Sequence, residues 1–219
     1  MKRLIPAAGA ALCLSLFASA HAEPADQLWN KTIAQVTAAK VFVAQDTELV
    51  VDGVKDGKDV KKRIKSHLSG WDKEKPLYTV VEIEPKDDPS KPASKTPADG
   101  ASFSEMTTEM FKPDAKVTRS DGQVLNGKTW TLFQMKKSDG PMDMTMKLWV
   151  DPATGSPHKM ENHIHGTFMM DVQMNTSYTP QGGTSVPTRT EMQIEVLIPF
   201  KGAKMHLVNS ASNWIVHPV

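Results

Sequence analysis

The chain has almost no cysteine. Cys13 is the single example among 219 residues, and it lies in a segment expected to be removed. Without thiols the remainder has no disulfide, no thiol nucleophile and no cysteine-based zinc site. Charge of one sign is also missing: 26 basic groups face 25 acidic ones, which gives no reason to expect nucleic acid as a partner. After the first 20 residues no apolar run reaches the length of a membrane span, so the mature chain has no transmembrane segment. No G-x-S-x-G elbow is present, and no serine shows a recognisable arrangement with His and Asp. These absences point away from an enzyme and toward a protein with no cofactor.

The amino terminus reads as a processing signal. Lys2 and Arg3 precede an apolar run from Leu4 to Ala20, and Ala20-His21-Ala22 is an A-x-A cleavage site. Cys13 follows Leu12 rather than a small residue, which argues against lipid attachment there. Cleavage after Ala22 takes 22 residues from 219 and leaves 197, and Lys2 and Arg3 leave with them, giving 24 basic groups against 25 acidic. An exported, periplasmic product is expected. Its length suits one domain over residues 23–219, especially an all-β one.

Leu28, Ile33, Val36 and Ala39 recur at near-helical spacing after Asp26, so a helix is expected from about Ala25 to Lys40, covering a sheet face. Glu48–Val51 and Leu77–Glu84 read as strands. Between them, Lys55, Lys58, Lys61, Lys62, Arg63 and Lys65 form a basic stretch diluted by Asp56 and Asp59. A solvated face is the simpler reading, with contact to anionic lipid heads as the alternative. Residues 85–101 carry four prolines among Lys, Asp and Ser and are expected to form a mobile loop. Residues 103–111 are expected to form a short helix with Met106, Met110 and Phe111 inward. Residues 180–187 read as a Gly-rich connection. A strand from Thr188 to Phe200 and another from Met205 to Ile215 close the sheet.

The organising stretch is Pro141–Tyr178, read as a long hairpin. Met142, Met144, Met146, Leu148 and Val150 alternate with Asp143, Thr145, Lys147 and Trp149. Beyond the turn at residues 151–155, Met160, Ile164, Phe168, Met170, Val172 and Met174 share a side, opposed by Glu161, His163, His165, Asp171, Gln173 and Asn175. Alternation across a strand gives one apolar and one polar face. The expected ligand-binding wall is Met142, Met144, Met146, Leu148, Met160, Ile164, Phe168, Met170, Val172 and Met174. Trp130 and Phe133 point opposite ways, so at most one of them joins it. Methionine is flexible and polarisable, which suits a surface that accepts varied partners, and also suits plain core filling.

Three further patterns compete. GQVLNGKT at Gly122–Thr129 matches the phosphate-binding pattern, but a strand rather than a helix follows, so it reads as hairpin glycines. His158, His163 and His165, with Glu161 nearby, offer a zinc set, although a wet face bearing titratable side chains explains them too. Met142, Met144 and Met146 offer thioethers to copper(I), but their neighbours are those of a hydrophobic wall.

Lys147–Glu161, KLWVDPATGSPHKME, resembles the periplasmic lipoprotein-localisation-factor superfamily (LolA/LolB/RseB-like, outer-membrane lipoprotein-sorting proteins) through Trp149, Asp151, Thr154, Gly155, Pro157 and Lys159. The similarity runs over roughly Asp121–Trp214. The first half shows no counterpart of the carrier's early strand with Pro-Gly and an Arg before aromatic residues. The resemblance implies a mainly β fold with some helix: an open antiparallel β half-barrel covered by one or two helices. It further implies acyl chains of a lipid or lipoprotein as the ligand. Other functions on the same architecture are an envelope-stress or protein-interaction module with an envelope protein partner, or a periplasmic copper or zinc binder.

Overall fold

The computed structural model describes residues 26–86, 111–112, 115–166, 170–196 and 202–217. One helix, α1 (Gln27–Ala39), precedes ten strands: β1 (Phe42–Lys55), β2 (Lys58–Asp72), β3 (Lys75–Glu84), β4 (Val117–Leu125), β5 (Lys128–Asp139), β6 (Met142–Val150), β7 (Pro157–Gly166), β8 (Met170–Gln181), β9 (Thr184–Val196) and β10 (Ala203–Val216). They form one open sheet in the order β3-β2-β1-β10-β9-β8-β7-β6-β5-β4, every neighbouring pair antiparallel. This is the expected half-barrel, with one helix over it among the described residues.

The chain runs outward to the β3 edge, resumes at the opposite edge with β4, and meanders back until β10 meets β1. Five strand pairs are joined by two-residue turns, and three of these turns share one geometry: Asp56-Gly57, Asn126-Gly127 and Gly182-Gly183. All six residues have positive φ, the geometry that matches the twist of a hairpin. The phosphate-loop-like stretch is thereby a hairpin, with Asn126-Gly127 joining β4 to β5.

Asp26 caps α1. Its carboxylate accepts from the Leu28 and Trp29 amides at 2.8 and 3.2 Å, satisfying donors that a helix start leaves free. Arg119 on β4 donates to the same carboxylate at 3.1 Å. Leu28, Trp29 and Thr32 are the buried stripe of the helix. Its far end is held where Thr184 Oγ1 donates to the Gln35 carbonyl at 2.9 Å. Asp151 accepts from the Ala153 and Thr154 amides at 3.0 and 2.8 Å, and these bonds hold its carboxyl below the usual carboxylate range. The resulting turn sets Gly155, at φ 75°, directly against Lys31 and Thr32, where a Cβ would come within 3.0 Å. The Asp, Thr and Gly that carried the family resemblance thus shape the seat of α1.

Several expectations are corrected. The second run of the long hairpin is two strands, β7 and β8, paired through Gly166 and Met170. The supposed connection at residues 180–187 is the end of β8, a tight turn and the start of β9. The basic stretch is the β1–β2 turn and the start of β2. Arg63 pairs there with Glu48 and Glu84, and Lys65 with Glu82 at 2.7 Å, so this is a solvated strand face. Most of the proline-rich segment, Met106 and Met110 lie outside the described residues; Phe111 faces inward as expected.

Candidate functional site

Strand register turns the alternation into cross-strand rows on the face that α1 covers. One row is Phe133, Leu148, Met160 and Thr176; the next is Met135, Met146, Asn162, Met174, Met192 and Leu207. A third is Met144, Ile164, Val172, Ile194 and Met205, and the last joins Met142, Gly166 and Met170. Strand geometry separates successive rows by roughly 7 Å.

The first row is closed. Trp29 lies edge-on to Phe133 at 5.1 Å and stacks on Phe111 at 5.8 Å. Its indole N–H donates to the Lys112 carbonyl at 3.1 Å. Leu148, Met160, Met146, Ile164, Val172 and Met174 are all buried in one cluster with Leu28, Trp29 and Phe133. At this end the protein fills the face with its own atoms. Toward the far rim the cover thins: Met142 and Met144 are half-buried, and Met170 is 37% exposed. Phe168 lies outside the described residues. Nine of the ten expected wall residues therefore share one face, graded from sealed core to accessible rim.

Phe133, not Trp130, joins this wall. Met135, Met192, Ile194 and Leu207 extend it, and pairing across the sheet, which a linear sequence does not display, is what adds them. Asn162 was missed altogether. It occupies an inward position between Met146 and Met174, is 5% exposed, and has no hydrogen-bond partner on either amide atom. Its one visible signal is a polar residue at the apolar parity of β7.

The opposite face is wet. His163 and His165 both reach Asp171, at 2.7 and 3.4 Å. The His163 bond lowers the Asp171 pKa most, against a smaller opposing effect of burial. A cavity of about 380 Å³ lies beside them, lined among others by Asp52, Asp171, Gln193, Glu195, Lys204 and His206. His158 does not join the other two histidines. It stacks on Trp130, centroids 4.1 Å apart and planes at 4°. Among the described residues no group of three or more His, Cys, Asp or Glu side chains is placed to hold a metal ion. Likewise no described helix is long and apolar enough to cross a membrane.

Burial against Trp130, helped by the charges of Lys128 and Lys159, lowers the His158 pKa from its ordinary value. The folded protein thus favours the neutral ring. Stability from the stack is fully present above the unfolded value of about 6.5 and is lost as pH falls through the lowered folded value. Urea midpoints followed downward from neutral pH are expected to drop, and His158→Phe is expected to flatten that part of the profile. An unchanged profile in the variant would assign the acid sensitivity to the carboxylates alone.

No protein-family model and no curated protein matches the sequence. Two solved structures are similar in outline. A DUF1329 family protein from Desulfovibrio piger is 14% identical, with 89% of this chain and 93% of that chain covered and a TM-score of 0.42. A LolA superfamily protein from Nitrosomonas europaea is 10% identical, with 87% and 94% covered and a TM-score of 0.35.

Proposed function

We propose that the protein is a non-enzymatic periplasmic binder of acyl chains, from a lipid or a lipoprotein, acting in outer-membrane lipid or lipoprotein traffic. The supporting observation is the graded apolar face: a sealed row under Trp29 leads to a rim where Met142, Met144 and Met170 reach the surface. Each methylene moved from water onto such a face is worth about 0.8 kcal/mol, so ten carbons supply roughly 8 kcal/mol before ordering costs. Thioether side chains re-pack around chains of different shape.

The test is native mass spectrometry of the gently purified protein together with titration by a fluorescent fatty-acid probe. Bound acyl species and saturable probe binding are expected. The double variant Met144→Asp, Met170→Asp places charge on the half-covered rim rather than in the sealed core. It is expected to weaken probe binding at least about tenfold, because a carboxylate resists transfer to an apolar site. An unliganded protein that ignores the probe would overturn the reading.

A further inference from the structure

Asn162 is a costly residue in its place. It lies on the apolar face with Met146 and Met174 as its direct cross-strand partners. Both Oδ1 and Nδ2 are buried and unpartnered. The neighbouring thioethers offer only weak acceptors and no donor, so they leave Oδ1 unanswered. Burying an amide without partners opposes folding, and an apolar side chain of the same shape avoids that penalty. The side chain carries both a donor and an acceptor, so a full match needs a group presenting an acceptor and a donor side by side.

We propose that Asn162 is the polar reader of the acyl-binding face, selecting chains whose head is an amide or a protonated carboxylic acid over chains that end in an ester. This rests on the acyl-binding reading and specifies its ligand. An amide or a neutral acid closes two hydrogen bonds with the Asn162 side chain. An ester has only acceptors and leaves Oδ1 unpaired. The direction of binding follows from the rows. Beyond Asn162 the face is sealed by Leu148, Met160 and Trp29, so the head is innermost. Between Asn162 and the Met142–Met170 rim, roughly 13 Å away at the rise of a strand, Ile164 and Val172 are themselves buried. The chain therefore enters by displacing the flexible methionine side chains over them rather than along an open channel. An acid must shed its charge to enter this apolar site, whereas an amide has none to shed.

The experiment measures affinities of the whole mature protein for dodecanamide, dodecanoic acid and methyl dodecanoate at pH 5 and pH 8, before and after Asn162→Leu. The wild type is expected to bind the amide at least about tenfold tighter than the ester at both pH values, since one lost pairing of a buried polar group is worth about that factor. It is expected to bind the acid well only at pH 5. Asn162→Leu is expected to melt higher and to bind amide and ester within about twofold of each other. Equal wild-type affinities for amide and ester would overturn the inference and leave acyl binding intact. So would discrimination that survives Asn162→Leu. Binding of none of the three would remove the acyl-binding reading, and this inference with it. The wild-type comparison needs no variant, so a poorly folding Asn162→Leu would not shelter the claim.

Discussion

Phe133→Ala is expected to cost about 3–5 kcal/mol of folding stability, a large share of the roughly 5–15 kcal/mol that holds a typical domain together. Phe133 is 0% exposed and joins the only described helix to the sheet. Its ring meets Trp29 edge-on at 5.1 Å, while its backbone pairs β4 through Arg119 and β6 through Leu148. Truncation leaves a void under Trp29 that Leu148 and Met160, already buried in the same row, cannot close without leaving their strands. It also removes an aromatic contact worth about 0.5–1.5 kcal/mol beyond area alone. For a chain of this size such a loss lowers the melting temperature by about 10 °C. Trp130→Ala is the matched control three residues away on the wet face, where the stack on His158 and the indole hydrogen bond to the Leu125 carbonyl are lost. Urea unfolding of both variants gives the comparison. A Phe133→Ala midpoint no lower than that of Trp130→Ala would mean that the helix does not depend on this seam.

The sequence was legible wherever a local rule also decided the structure. Alternation identified the two faces because side-chain parity is fixed within a strand, and Asn126-Gly127 announced its turn because both residues tolerate positive φ. The same parity concealed the break between β7 and β8. Gly166 pairs with Met170, so the apolar residues stay on even numbers across it and two strands read as one. Pro187 lies within β9, although proline cannot donate to a ladder. It is accommodated next to the register shift between Ser177 and Tyr178. The start of β2 was obscured by its lysines, which are poor strand formers until cross-strand glutamates pair with Arg63 and Lys65. The wall emerged as a list of methionines, but its sealing by Trp29 and its single buried amide did not. Both depend on which strand lies beside which, and no local pattern encodes that.

Gly53→Ala is expected to destabilise the protein by about 1–3 kcal/mol or more, the range for forcing atoms into a filled space. The reason is proximity rather than backbone conformation. A Cβ built on Gly53 would stand 2.2 Å from the Lys204 carbonyl oxygen and 2.8 Å from the Met205 Cα. Both are main-chain atoms of the partner strand, so no side chain can swing aside and the ladder itself must open. Gly53 faces Met205 in the β1–β10 pairing, and that pairing is the only link in the strand order between the β1–β2–β3 wing and the other seven strands. Damage there should therefore spread. Hydrogen exchange is expected to rise along residues 51–55 and 203–207 before it rises in β6 and β7. Gly70→Ala separates this cause from the general effect of removing a glycine. Gly70 lies in β2 with nothing within 4 Å of its added Cβ and no positive φ, and the loss of unfolded-state freedom should leave it neutral or slightly stabilised. If the two alanine variants unfold at the same urea concentration, the close approach of β1 to β10 is not what makes glycine necessary at position 53.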